Sequence, residues 1–157
     1  MIGFYDLPTA TRLLLYGFFC GALYQFFASS MVLDPIWTGT GLPIIEGLLL
    51  SLSFSLLTMF LLTRQGVRQL NGQPTAGWTF GLGAGSMLVV LLIYRLITTT
   101  GAGFLTSGFG FPSLFFGIVL ATIVPWSMAL IASWQGWNAL EGRRFKPAFK
   151  AMMLHTT

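Results

Sequence analysis

Two residues of opposite charge, Glu46 and Arg95, stand inside apolar stretches of the sequence, GLPIIEGLLL (residues 41–50) and LLIYRLITTT (residues 91–100). Placing a charge at the centre of a lipid bilayer costs on the order of 2.5–3.5 kcal/mol, so such residues are expected to have a partner or to line a polar path. Two kinds of chemistry are therefore open. The two residues could form a site for an ion or a polar solute, or an ion pair that joins two helices of one chain or of two subunits.

The composition indicates that lipid surrounds most of the chain. Only 8% of the 157 residues are charged and 55% are hydrophobic, whereas soluble domains carry about 25% charged residues. Four apolar segments have about the 20 residues that a membrane-spanning helix requires; they cover residues 11–33, 42–63, 78–99 and 111–134. The predicted fold is an all-α integral membrane protein, a single membrane domain over residues 1–157 that forms a four-transmembrane-helix bundle.

The basic residues predict the orientation of the four helices. Seven of the eight flank the apolar segments, and none of the seven lies in the first or third connection. Because an excess of Lys and Arg marks cytoplasmic segments, both termini are predicted to be cytoplasmic, in a plasma or inner membrane. The seven residues are Arg12, Arg64, Arg68, Arg143, Arg144, Lys146 and Lys150.

The last four of these residues belong to an amphipathic basic tail, residues 139–157, which also contains Phe, Met and Leu. Basic amphipathic segments bind anionic lipid surfaces. We therefore expect Arg143, Arg144, Lys146 and Lys150 to contact anionic lipids of the inner leaflet.

The spacing along the chain places Glu46 and Arg95 at one depth. Glu46 precedes Arg64 by 18 residues, and Arg95 follows Gly77 by 18 residues. With a rise of 1.5 Å per residue, both lie roughly 27 Å from the inner boundary and hence near the outer interface. Transporters usually hold their substrates near the midplane, so this depth favours an intramembrane ion pair over a substrate site. Arg95 alone could also extend to the outer headgroups.

Small residues recur at every fourth position in three of the apolar segments. Helices approach each other closely in lipid through such residues, so they predict tight packing within the chain or with a neighbour. Packing of the second segment on the third through these residues would support the ion pair. In the fourth segment, Pro125 is predicted to kink the helix. The small residues are Gly17 and Gly21, then Gly47, Ser51 and Ser55, then Gly77, Gly81 and Gly85.

The sequence predicts no cofactor, no metal site and no catalytic set. One cysteine, Cys20, and one histidine, His155, are too few for an internal disulfide, a pair of axial haem ligands or a His/Cys metal cluster. The serines of the second segment have no His or Lys near them to act as a base, and Asp6 and Asp34 belong to opposite flanks. The net charge of +4 does not indicate nucleic-acid binding, because the basic residues form no patch.

Two functions are consistent with these features. We expect a non-catalytic integral membrane subunit of a larger membrane complex, with an assembly, structural or accessory role in a transporter or an energy-converting assembly. The alternative is a small homo-oligomeric channel or transporter, with an external vestibule near Glu46 and Arg95 and with Pro125 as a hinge. Expected partners are membrane lipids and either other membrane subunits or further copies of the chain. The glycine-rich stretch 98–112 is expected to be an uncharged external loop, with a re-entrant segment as the alternative.

Overall fold

The computed structural model describes five stretches of the chain, residues 7–33, 43–68, 72–99, 111–143 and 145–156. Within these stretches it leaves out a few side chains, among them those of Arg68 and Arg95. Every regular element in the five stretches is helical. Four helices are long and apolar enough to cross a membrane, which confirms the all-α class and the four apolar helices predicted from the sequence. Most of the glycine-rich stretch 98–112 lies outside the described residues.

The described chain contains six α-helices and one π-helical segment. Helices α1, α2, α4 and α5 are the four candidate spans, α3 is a single turn between α2 and α4, and α6 follows α5. Their bounds are Leu7–Ala28 for α1, continued by the π-helical segment Ser29–Leu33, then Pro43–Leu62 for α2, Gln65–Arg68 for α3, Gln73–Thr99 for α4, Phe111–Leu140 for α5 and Phe145–Thr156 for α6.

Helix α4 begins earlier than its apolar run indicates. It starts at Gln73, five residues before the predicted start at residue 78. The polar residues and the proline of this region resemble a turn in sequence. A proline in the first turn of a helix loses no intrahelical hydrogen bond, however, so Pro74 is compatible with a helix start.

Helix α5 ends later than predicted, at Leu140 and not near residue 134. Its end is marked by Gly142, which has a φ of 79°. The amide of Gly142 donates to the carbonyl of Ala139 at 3.1 Å, and the amide of Arg143 donates to that of Asn138 at 2.9 Å. This pair of bonds is a Schellman motif, in which glycine adopts the left-handed conformation at no steric cost. The motif turns the chain out of α5 and towards α6.

Helix α4 is the centre of the bundle. It packs along α1 on one side and along α5 on another, and these are the two most extensive helix contacts of the described chain. Half of the residues in its most apolar window are buried, compared with 17–28% in the other three candidate spans. The helix that lies between two others therefore has the least surface left for lipid or for a partner.

Helix α2 is attached in a different way, because its most extensive contact is with α6. Ala148 and Ala151 of α6 are completely buried, and three-residue spacing places them on one side of the helix. The sequence predicts residues 139–157 as a tail on the lipid surface. In the structure the alanine side of α6 packs against the bundle, because residues this small allow two helices to approach closely, and contact of its other side with lipid stays a prediction.

One end of the bundle collects the start of α1, the end of α2 and the start of α4. We call it the basic end, because Arg12 and Arg64 lie there. Alternating helix directions bring these chain segments together, as the predicted topology requires. A buried apolar cluster joins them, formed by Leu13, Leu62, Val67 and Ala76.

Candidate functional site

Glu46 lies in the first turn of α2, where the helix dipole favours a negative charge. Its side chain is half-buried, and its Oε2 atom has no hydrogen-bond partner among the described residues. Arg95 lies in α4, but its side chain is outside the described part of the structure. The ion pair between Glu46 and Arg95 therefore stays a prediction.

Three of the small residues, Gly77, Gly81 and Gly85, form one side of α4, and this side contacts α5. A Cβ atom on Gly81 would lie 2.5 Å from the carbonyl oxygen of Met128, and one on Gly85 would lie 2.5 Å from Cα of Pro125. Helix α5 is continuous through this proline, and the bend expected there stays a prediction.

The remaining contact of Gly77 is with Ala132, one turn further along α5. The sequence suggested that the glycine side of α4 packs against α2. In the structure this side packs against α5. The physical reason is that α5 occupies this side over its whole length.

Gly17 and Gly21 bring α1 against a second side of α4. The backbone of Ala84 lies next to both glycines, and Gly83 in turn lies against the backbone of Leu14. Two glycines on one helix thus face a glycine and an alanine on the other, so the two backbones are nearly in contact. Gly47 is half-buried in α2.

Ser51 and Ser55, the two serines of α2 in this set of small residues, form hydrogen bonds to helices other than α4. Ser51 lies 3.2 Å from the hydroxyl of Tyr24, a hydrogen bond between α1 and α2. Ser55 is completely buried and donates to the carbonyl of Ala148 in α6 at 2.8 Å. The serines therefore connect α2 to the first and last helices of the described chain.

Gln135 of α5 completes a hydrogen-bonded cluster around Ser55. Its Nε2 atom donates to the hydroxyl oxygen of Ser55 at 2.6 Å and, more weakly, to the Ser55 carbonyl at 3.3 Å. The Ser55 hydroxyl thus accepts from α5 and donates to α6, which uses its proton and one of its lone pairs. We call Gln135, Ser55 and the Ala148 carbonyl the polar clasp. It joins α2, α5 and α6 in the buried interior.

An aromatic cluster lies beside the polar clasp and has Phe54 at its centre. The Phe54 ring makes edge contacts with Tyr24 of α1 at 5.1 Å and with His155 of α6 at 5.4 Å, and it stacks on Phe80 of α4 at 6.0 Å between centroids. Such ring pairs add about 0.5–1.5 kcal/mol beyond the burial of their surface. Four helices meet at this one side chain.

His155 is half-buried in this cluster, and both of its ring nitrogens are buried. Burial lowers its pKa from 6.5 to about 4, because a charged imidazolium would lose its hydration. Neither ring nitrogen has a hydrogen-bond partner among the described residues. The position of α6 therefore depends on keeping this histidine uncharged.

The predicted lipid contacts lie partly on the exposed surface. Lys146 and Lys150 are exposed on α6, on the side away from its alanines. Arg143 is exposed and lies 3.7 Å from a carboxylate oxygen of Glu141. Arg144 is outside the described residues. Contact of these residues with anionic lipid stays a prediction.

The arrangement holds helices together, and its chemistry is hydrogen bonding and packing. Among the described residues, no group of three His, Cys, Asp or Glu side chains could hold a metal ion. Neither the polar clasp nor the aromatic cluster was predicted from the sequence. One signal was present in the sequence: Ala148, Ala151 and His155 follow one another at helical spacing and so share a side of α6.

Removing the hydroxyl of Ser55 is expected to weaken the polar clasp. In Ser55→Ala, the Ala148 carbonyl loses a donor, and Gln135 Nε2 keeps only its longer contact with the Ser55 carbonyl. Interhelical hydrogen bonds in membrane proteins contribute about 0.6–2 kcal/mol. We expect the free energy of unfolding to fall by about 1–2 kcal/mol, measured by denaturant unfolding of the purified protein in detergent.

The control for this prediction is Ser53→Ala. The Ser53 hydroxyl is exposed and donates to Leu49 of its own helix at 2.8 Å, so its removal is expected to change the unfolding free energy by less than about 0.5 kcal/mol. Equal losses for the two variants would show that the polar clasp contributes nothing specific.

Comparison with protein-family models, with curated proteins and with solved structures finds no match to this chain. The described residues form an all-helical structure with four helices long and apolar enough to span a membrane, and the buried side chains of Ser51, Ser55 and Gln135 connect helices to one another.

Proposed function

We propose that the protein is a non-catalytic integral membrane subunit of a larger membrane complex, with an assembly, structural or accessory role. The observation that carries this proposal is the distribution of burial: in three of the four candidate spans only 17–28% of the most apolar window is buried within the chain. Apolar surface of this extent requires lipid or other membrane proteins around it.

The use of the interior polar groups also supports a structural role. Tyr24, Ser51, Ser55 and Gln135 bond to one another or to α6, so these groups connect helices, as a structural role requires. A transporter or enzyme of this size would need such groups for its substrate.

The proposed orientation has both termini on the cytoplasmic side of a plasma or inner membrane. Its support is the basic end, where Arg12 and Arg64 lie beside the starts of α1 and α4 and the end of α2. Because Lys and Arg are enriched in cytoplasmic segments, this end faces the cytoplasm in our proposal.

A homo-oligomeric channel or transporter is the second candidate, and Glu46 favours it. The carboxylate has an oxygen without a hydrogen-bond partner in the described chain, near the predicted outer end of α2. In a symmetric oligomer, several copies of Glu46 would form a ring of carboxylates, and such rings attract cations.

Purification from native membranes in mild detergent tests the two functions. For the subunit we expect companion polypeptides at a fixed stoichiometry with the tagged chain, and no ion flux from the chain alone in liposomes. For the channel we expect a symmetric oligomer of the chain and a cation flux. A monomer without companions or flux would contradict both.

Substitution of Glu46 by glutamine separates the two functions further. Glu46→Gln keeps the shape of the side chain and removes its charge. If the carboxylate pairs with a partner subunit, we expect the yield of the complex to fall about fivefold or more, since an unpaired buried charge costs on the order of a few kcal/mol. The control is Glu141→Gln, at an exposed glutamate near the end of α5, which should leave the yield unchanged. Altered cation selectivity with normal assembly would instead support the channel.

A further inference from the structure

A cavity of about 660 Å³ opens at the basic end, between the start of α1 and the turn that joins α2 to α3. Arg12 and Tyr16 line it from α1, where four-residue spacing places them one above the other on the same side of the helix. Arg64 and Gln65 line it from the turn. Two guanidinium groups, a hydroxyl and an amide thus surround one space.

The cavity carries two positive charges that the described residues do not neutralise. Among the described residues, its lining contains no Asp or Glu. In the described part of the chain the only ion pair within 4 Å is that of Arg143 with Glu141, so neither Arg12 nor Arg64 is paired with a described carboxylate. An anion would complete this site.

The other wall of the cavity is apolar. Leu13 and Val67 are 5% and 9% exposed, and Leu61 lies beside them in the lining. A fully hydrated inorganic anion gains nothing from such a wall, because apolar surface stabilises only apolar groups. The combination suits a ligand with a charged head and an apolar body.

We propose that this cavity binds the phosphate group of an anionic amphiphile, with the phosphate between Arg12 and Arg64 and its apolar part against Leu13 and Leu61. Arginine binds phosphate through parallel, charge-assisted hydrogen bonds, and Tyr16 and Gln65 supply further donors. Basic pockets between membrane helices are known to take the headgroups of anionic lipids.

The depth of the cavity matches a lipid headgroup. Arg12 is five residues into α1, and Arg64 follows the last residue of α2 by two, so both lie at the boundary of the apolar spans. This inference rests on the membrane location proposed above but not on the role as a subunit. It also differs from the lipid contacts expected of α6, which involve no cavity.

Titration of the purified full chain in a neutral detergent tests the site. The probes are dioleoylphosphatidylglycerol, dioleoylphosphatidylcholine and glycerol 3-phosphate, and the readouts are native mass spectrometry of bound lipid and the midpoint of thermal unfolding. We expect phosphatidylglycerol to bind and to raise the midpoint of thermal unfolding. We expect phosphatidylcholine to bind with an affinity at least about tenfold lower, since its net charge is zero. Equal binding of both lipids would overturn the proposal.

Glycerol 3-phosphate distinguishes the two sources of the phosphate. If it raises the midpoint as phosphatidylglycerol does, and competes with it, the ligand is a soluble phosphate ester. If only the lipid binds, the ligand is a membrane phospholipid. The first result would overturn the proposal of an amphiphile, and the second would support it.

The variants Arg12→Gln and Arg64→Gln are each expected to weaken phosphatidylglycerol binding about tenfold, because one charge-assisted contact is lost in each. Tyr16→Phe, which changes only a hydroxyl, is expected to weaken it about threefold to tenfold. Tyr94→Phe is the control for Tyr16→Phe: it removes a hydroxyl from an exposed tyrosine outside the cavity lining and should change binding less than about twofold.

Binding by the double variant Arg12→Gln/Arg64→Gln at the wild-type level would overturn the proposal, as would a loss in Tyr94→Phe equal to that in Tyr16→Phe. If the double variant does not fold, the Tyr16→Phe result decides: unchanged binding contradicts the site. Failure of the subunit proposal would leave these results intact, because they are measured on the isolated chain.

Discussion

Replacing Gly81 by alanine is expected to separate α4 from α5. The added Cβ atom would lie 2.5 Å from the carbonyl oxygen of Met128 and 2.6 Å from Cα of Ala129. Both neighbours are backbone atoms of a helix, so they cannot move aside as a flexible side chain would. Overpacking usually costs about 1–3 kcal/mol, and more where the backbone must shift. We expect Gly81→Ala to lower the unfolding free energy by at least about 3 kcal/mol and to reduce the folded yield, measured by unfolding in detergent and by size-exclusion chromatography.

The matched control is Gly117→Ala in α5. A Cβ atom on Gly117 would meet no atom within 4 Å, so no neighbour has to move. Alanine is also the better helix former by about 1 kcal/mol. We therefore expect Gly117→Ala to be neutral or slightly stabilising. If Gly81→Ala behaves as Gly117→Ala does, the close approach of α4 and α5 is wrong.

Acidification is expected to release α6 from the bundle through protonation of His155. The pKa of this group is about 4 in the folded chain, below its ordinary value of 6.5, so the unfolded state binds the proton more tightly. Stability is therefore at its full value above pH 6.5 and falls as the pH falls from 6.5 to 4. The loss amounts to about 2 kcal/mol at pH 5 and about 3 kcal/mol at pH 4.

This prediction is checked by the pH dependence of unfolding in wild type and in His155→Phe. Phenylalanine keeps an aromatic ring against Phe54 but cannot be protonated. We expect the wild type to lose about 2 kcal/mol more than His155→Phe between pH 7 and pH 5, and hydrogen exchange in residues 145–156 to show the largest loss of protection. Parallel pH profiles for the two proteins would refute the role of His155.

The candidate spans could be predicted from the sequence because each requires only local information. A run of about 20 apolar residues identifies a span wherever it occurs. The ends of the helices did not follow from residue type. Pro74 is a turn-forming residue, yet it lies in the first turn of α4. Gln135 is polar, yet it is buried in the last turns of α5. Their neighbours in the fold, and not their neighbours in sequence, make both positions helical.

Which helices pack together depends on long-range contacts and could not be predicted. The spacing of Gly77, Gly81 and Gly85 predicts close packing, but it does not say that α5 and not α2 is the neighbour. The contact of Ser55 with Ala148 joins residues 93 positions apart, and no local pattern contains it. The charge pair of Glu46 and Arg95, inferred from depth alone, remains a prediction.

The attachment of α2 through α6 has a consequence for biosynthesis. Because 93 residues separate Ser55 from Ala148, a ribosome working at about 5–20 residues per second completes α6 roughly 5–20 s after it has made the middle of α2. During this interval α2 has been made but its principal neighbour has not, so Ser55, which is buried in the folded chain, lacks the contact with Ala148 that α6 provides. For several seconds of each synthesis, α2 of a new chain therefore depends on other helices or proteins near it. The order in which the helices are made, as much as the final contacts, decides how α2 joins the bundle.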